Sequence, residues 1–256
     1  MKKANTYFKL PILDGLELFH AENHKVDFPF HTHNTFNITL VLEQLFATKL
    51  PTKILQAPQG TIAITNPNEV HATICDNKIG NSFFTFYVSP DLLQELNHNK
   101  PVRFDNKVIE DQTLYQQLYF LSQNLTKVAF DLEKQLLAVL KLLVTQYAQE
   151  NTFFSTQTVL FQEFLQEDLL KKFSLENSAK QFGLDKYKFL RLFKQETGLT
   201  PNNYIILKRV EQSKILLQQQ EDLLDIALET GFYDATHFCK HFKKITGITP
   251  NSYRNA

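Results

Sequence analysis

The 256-residue chain has no surplus of charge: 27 Lys and Arg stand against 27 Asp and Glu, which excludes a polybasic or polyacidic chain that binds through bulk charge alone. Cysteine is scarce. Cys75 and Cys239 lie far apart, so no disulfide framework is expected, and a reducing compartment suits them. Long hydrophobic runs are missing too. No window of about eighteen residues is apolar throughout, which leaves no sequence segment expected to span a bilayer, and no partner membrane. Nor does an apolar run follow Met1-Lys2-Lys3-Ala4-Asn5-Thr6-Tyr7, so no signal peptide is expected and the chain reads as cytoplasmic. The hydrophobic fraction of 43% and aromatic fraction of 12% exclude disorder, and the length leaves room for two domains with separate cores.

What the chain does have is a repeat. The stretch from Arg191 to Tyr204 returns, at constant offset, from Lys240 to Tyr253: Phe193 matches Phe242, Gly198 matches Gly247, Thr200-Pro201 matches Thr249-Pro250. Upstream, Ala179 and Gly183 match Ala227 and Gly231 at an offset one shorter, so the second copy holds one extra residue after its glycine. Each copy reads as a short helix with a small residue at a close crossing, a glycine of positive φ, an Asp cap and a second helix. In the first copy Asp185 caps, Phe189, Leu192 and Phe193 form the inner stripe, and Lys186, Lys188, Arg191 and Lys194 face outward. In the second Asp234 caps and Phe238 and Phe242 point inward. Two helices joined by a tight turn, the second amphipathic and basic outside, describe a helix-turn-helix. From Lys171 onward fourteen Lys and Arg face nine acids, an excess suited to local phosphate contacts.

The segment between the copies, Asn202 to Gln220, keeps helical spacing through Ile206, Val210, Ser213 and Leu217 and is expected to form one rod. The outward residues supply the candidate base readers: Tyr187, Leu190 and Arg191 in the first helix, Ala235, Thr236, Cys239 and Lys240 in the second. Arginine can be bidentate to guanine, and Thr or Ala can meet a thymine methyl. Lys186, Lys194, Lys243 and Lys244 suit phosphate. The run Gly231-Phe232-Tyr233-Asp234-Ala235-Thr236-His237-Phe238, followed by Phe242-Lys243-Lys244-Ile245-Thr246-Gly247-Ile248-Thr249-Pro250 and Tyr253-Arg254, resembles the DNA-binding domain of the AraC/XylS family of bacterial transcription regulators. That resemblance implies double-stranded DNA as partner and, for an activator, RNA polymerase.

Residues 6 to 90 read as strands and turns. Phe36 to Leu42, Gly60 to Thr65 and Ser82 to Val88 carry β-branched, alternating or aromatic runs, which suggests a small barrel or jelly roll. Phe30-His31-Thr32-His33 and Asn66-Pro67-Asn68-Glu69-Val70-His71 resemble the two marks of the cupin-type effector domain that many AraC-family regulators carry at this end. The resemblance implies a small-molecule effector near His31, His33 and His71. Cupin enzymes often add a glutamate ligand, but Asn37 stands near its place, so no metal or cofactor is assigned. Hydrogen-bonded barrel histidines are the plainer reading of the three. A metal-dependent cupin enzyme fused to a DNA-binding domain is the alternative function, and three imidazoles could hold an ion if all faced one cavity. His20, His24 and His98 read as surface residues.

Beyond Pro101 the period becomes helical. Asp111 to Asn124 aligns Leu114, Leu118 and Leu121; Asp131 to Tyr147 aligns Leu132, Leu136, Val139, Leu140, Leu143 and Tyr147. The second stripe suits burial within the subunit or a homodimer equally. The expected fold is α+β in two domains: a cupin-like β-barrel with flanking helices over residues 1–150, a linker over 151–157, and an all-α double helix-turn-helix domain over 158–256. A non-enzymatic, effector-controlled DNA-binding regulator is the function this organisation implies.

Overall fold

The structure, a computed structural model, describes residues 5–13, 15–75, 78–125, 131–150, 173–219 and 221–256. The expected linker at 151–157 and the start of the expected second domain, up to residue 172, lie outside the described residues. The chain divides into two compact units, one of Met1–Asp27 and Thr32–Thr152, the other of Phe28–His31 and Phe153–Ala256.

In chain order the strands are β1 (Asn5–Lys9), β2 (Glu17–His24), β3 (Phe28–His31), β4 (Phe36–Glu43), β5 (Phe46–Lys49), β6 (Ile54–Ala57), β7 (Ile62–Thr65), β8 (His71–Ile74) and β9 (Asn81–Val88). The chain continues with α1 (Pro90–Leu96), β10 (Val102–Arg103), β11 (Val108–Ile109), α2 (Gln112–Ser122), α3 (Leu132–Tyr147) and β12 (Gln149–Glu150). A six-stranded sheet runs β1-β2-β9-β4-β7-β11 and a four-stranded sheet runs β3-β8-β5-β6; β10 and β12 pair alone. The strands β4 and β9 are buried along nearly their whole length because the six-stranded sheet is covered on both faces. On one face Leu18, Ile38, Leu40, Phe84 and Phe86 join a single core with Leu114, Leu118, Leu121, Leu136, Leu140 and Leu143 of the helices. On the other, Phe19 and Phe46 pack on Phe83 at ring separations of 5.8 and 4.9 Å, tying the two sheets together.

Both helices start on an aspartate cap. The Asp111 carboxylate accepts from the Leu114 N–H at 2.9 Å and that of Asp131 from the Lys134 N–H at 3.1 Å, satisfying donors the first turn leaves open. The stripe on α3 is consumed within the unit: Leu132, Leu136, Val139, Leu140, Leu143 and Val144 are buried, while Tyr147 is partly buried and bonds Asp111 at 2.9 Å. Here an expectation fails. His24 is buried, not on the surface, because β2 carries a bulge between Ala21 and His24 that turns its end inward against Phe83.

Apart from β3, the second unit, as described, is helical: α4 (Leu175–Gln181), α5 (Lys186–Thr197), α6 (Pro201–Gln218), α7 (Leu223–Glu229), α8 (Ala235–Thr246) and α9 (Pro250–Arg254). Gly183 and Gly231 take the positive φ the repeat demands, 65° and 80°. Their preceding small residues, Ala179 and Ala227, are buried at the crossings. Among the described residues no helix is long and apolar enough to cross a membrane.

Candidate nucleic-acid interface and ligand site

The two sequence copies fold alike, with matching caps and helix ends. Asp185 caps α5 by accepting from the Tyr187 and Lys188 N–H groups at 2.9 Å, and Asp234 caps α8 from the His237 N–H at 2.7 Å. These bonds hold the Asp185 carboxyl below its ordinary range. Both helices end on a left-handed glycine, Gly198 and Gly247. Just before it, the Thr197 hydroxyl donates to the Phe193 carbonyl at 2.7 Å and Thr246 donates to that of Phe242 at 2.9 Å. Thr200 and Thr249 then cap α6 and α9, each with proline in the first turn.

The inner faces are aromatic. Phe189 meets Phe193 at a tilt and Phe193 meets Tyr204 edge to face, with ring separations of 6.0 and 5.7 Å, and Phe238, Phe242 and Tyr253 follow one another edge to face at 5.6 and 5.5 Å. Leu192, expected fully inside, is only partly buried. With Phe189 and Phe193 fixed inward, the rotation of α5 is set. Tyr187, Leu190, Arg191 and Lys194 therefore share the opposite face at helical spacing, and Thr236, Cys239, Lys240 and Lys243 occupy the matching positions on α8.

Exposure follows the sequence reading in most places. Tyr187 is 65% exposed, and Arg191, Lys194, Thr236, Lys240 and Lys243 are exposed. Leu190, Ala235 and Cys239 are half-buried, so they offer contact area and little hydrogen bonding. Burial raises the Cys239 thiol, which stays protonated near neutrality. Lys186 leans back on its own domain: its Nζ lies 3.4 Å from the Glu176 carboxylate and 5.4 Å from the Tyr187 ring centre.

The predicted histidines come together. One ring nitrogen from each of His31, His33 and His71 lies within 4.8 Å of the others. The Nδ1 atoms of His31 and His71 sit 2.6 and 2.9 Å from the carbonyls of Pro29 and Glu69. A carbonyl only accepts, so both Nδ1 atoms carry the proton. Burial, then the nearby Lys107, lowers the His71 pKa to about 4, which keeps it neutral. The His33 ring lies 5.4 Å from those of His71 and Tyr87, and burial pushes the Tyr87 phenol up. Converging imidazoles, two of them oriented by backbone carbonyls, are a donor set a metal ion can use, and equally a polar wall for an organic ligand. Asn37, near the place of the missing glutamate, is buried and accepts from the Thr35 hydroxyl at 3.2 Å.

Comparison with known proteins matches both units. A family model described as AraC-like ligand binding domain matches residues 15–140, and one described as helix-turn-helix domain matches 178–256. The chain belongs to the AraC family. It is 27% identical to the uncharacterized HTH-type transcriptional regulator YbfI of Bacillus subtilis, over 82% of this chain and 81% of that one. It is 32% identical to the transcriptional activator RhaS of Klebsiella pneumoniae over 41% of this chain and 37% of that one. ToxT from Vibrio cholerae O395 shares the fold at a TM-score of 0.57 and 10% identity, covering 99% of this chain and 98% of its own. The AraC-family chain described here is thus a transcription regulator with a DNA-binding helix-turn-helix domain and a ligand-binding domain.

Two features of the AraC-type domain escape a reading by periodicity. Tyr233 is 87% exposed in the turn before α8, at the extra residue of the second copy. His237 and His241, one turn apart on α8, meet at a ring separation of 4.5 Å, and both approach Phe232. Their four-residue spacing was the available signal.

Proposed function

We propose that this regulator reads DNA with α5 and α8 as a tandem pair, each in a successive major groove, and that a small organic molecule bound in the first unit controls it. The observation that carries the first part is the register of the two outward faces, Tyr187, Leu190, Arg191 and Lys194 against Thr236, Cys239, Lys240 and Lys243, on helices that both start at an aspartate cap and end on a left-handed glycine. Arg191 donates to a guanine edge, Thr236 meets a thymine methyl, and Lys194, Lys240 and Lys243 hold phosphates. Ala235 and Leu190 pack against sugar or methyl groups, Cys239 fills space beside them, and Lys186 reaches phosphate only on leaving Glu176.

The effector contacts the face bearing His31, His33 and His71, where the neutral His71 ring stands near the Lys107 and Glu69 pair, joined at 2.8 Å. The protein works in the cytoplasm, without catalysing a reaction, and as an activator would contact RNA polymerase; a homodimer is compatible with this scheme. Selection of bound fragments from genomic DNA, with and without candidate metabolites, tests both halves: no enriched sequence defeats the DNA reading, and no metabolite that alters the enriched set defeats the control reading. A second reading is favoured by the convergence of three ring nitrogens within 4.8 Å, namely a zinc or iron ion held there. Elemental analysis of purified protein separates the two, since only the second requires stoichiometric metal.

A further inference from the structure

The histidine cluster lies toward the space between the sheets. The opposite, helix-covered face of the six-stranded sheet carries a separate cavity of about 590 Å3, walled by the ends of β2, β4 and β9, by the turn before β7 and by α2. None of His31, His33 and His71 lines it.

The walls are built by bonds already made. The Tyr115 hydroxyl donates to the Val41 carbonyl at 3.0 Å, and the Gln112 amide donates to the Gly60 carbonyl at 3.0 Å, which fixes α2 against the strand ends. The Tyr115 and Tyr119 rings stack at 6.2 Å with an interplanar angle of 4°, presenting an aromatic surface along the helix. Glu43 accepts from the Ser82 hydroxyl at 2.7 Å, and the Ser82 oxygen accepts from the Asn23 N–H at 3.2 Å, so that carboxylate is held in place.

What remains uncommitted is mostly acceptor. Among the described residues the side chains of Glu22, Gln59 and Gln116 make no hydrogen bond or ion pair, and all three line the cavity. Two carboxylates, Glu22 and Glu43, lie in the lining, and no lysine or arginine does. Such a wall repels anions and has unspent capacity for a donor-only group. An ammonium is that group: it carries three donors, no acceptor, and a charge that favours an aromatic face.

We propose that this cavity binds a small aliphatic amine, its ammonium groups held by Glu22 and Glu43 and by glutamine carbonyls, and its methylenes laid along Tyr119. The site is independent of the histidine face, so each reading can fail without the other.

Calorimetric titration of the full chain tests it, with spermidine as the cationic probe, xylitol as a neutral polyol and acetate as an anion. Spermidine is expected to bind, more weakly as salt is raised, while xylitol and acetate do not. Glu22→Gln keeps the shape and removes one charge, and should weaken spermidine roughly two- to fivefold, the range of a partly exposed ion pair. Gln59→Glu adds a carboxylate at an exposed turn and should tighten it by a similar factor, which guards against loss of affinity through misfolding. Absence of spermidine binding, equal affinity in all three proteins, or binding of xylitol or acetate in place of spermidine would overturn the assignment.

Discussion

Arg191 is the one guanidinium on either outward face of the repeat, and its counterpart on α8 is Lys240. The two are not equivalent, because a planar fork matches the paired acceptors of guanine and an ammonium acts as a point charge. Arg191→Ala should therefore cost about 1 to 3 kcal/mol at a cognate site and less on random DNA, measured by fluorescence anisotropy; equal losses on both would reassign Arg191 to phosphate. His24 gives a prediction of another kind. Burial lowers its pKa below the ordinary 6.5, against smaller opposing effects of a hydrogen bond to the Val26 carbonyl and of Asp27. The folded state thus binds its proton less readily than the unfolded chain. The stability this contributes is complete above pH 6.5 and is lost as pH falls through the depressed value. Urea midpoints followed from neutral to mildly acidic pH should fall, and His24→Gln should flatten the decline in part, since His71 is lowered in the same direction. An unchanged slope in the variant would remove His24 from the account.

At the scale of elements, the repeat was legible because its marks are conformational: Gly183 and Gly231 at positive φ, Asp185 and Asp234 at caps, Thr-Pro at two helix starts. Each specifies a backbone shape with little help from neighbours. The stripes of α2 and α3 were legible because one buried face sets their period, and the long runs of β4 and β9 because burial on both faces makes them continuously apolar. Other parts depended on contacts that no local pattern announces. The four-residue strands β5, β6 and β8 carry too few residues to show a period, and the burial of His24 follows from a bulge. The cavity beside α2 was hidden because Gln112, Gln116 and Tyr119 read as an ordinary solvated face. In α6 the expected stripe was too narrow: Ile206 is only partly buried, while Tyr204, Ile205, Leu207 and Leu216 are buried beside Val210, Ser213 and Leu217. The helix packs against both helix-turn-helix motifs, so more than one side is covered. A core of paired aromatics also makes the two motifs separately breakable. Phe242→Ala, which removes a fully buried ring between Phe238 and Tyr253, should cost about 3 to 5 kcal/mol, by chemical denaturation of the full chain. A loss below about 1 kcal/mol would mean the second motif repacks freely.

At the scale of the whole molecule, one subunit carries what a single-motif repressor obtains only by dimerising. The helix joining the motifs, α6, has 18 residues and no internal proline or glycine after its first turn, so it is one continuous rod of about 27 Å at 1.5 Å per residue. Successive major grooves on one face of B-DNA lie about 34 Å apart, close enough to that length for the rod to seat α5 and α8 in neighbouring grooves, with modest bending making up the difference. The two faces have different chemistry: Tyr187, Leu190 and Arg191 on one, Thr236, Cys239 and Lys240 on the other. Half-sites about 10 base pairs apart should therefore differ in sequence, and the half facing Arg191 should tolerate fewer substitutions, because the α8 face presents smaller groups. Hydroxyl-radical footprinting of the full chain on a selected site, at concentrations where one subunit is bound, should show an asymmetric protection of about two turns. Protection confined to one groove would mean that only one motif reads DNA. A palindromic footprint that appears only when two subunits bind would transfer the second groove to a partner and end the tandem-reader model.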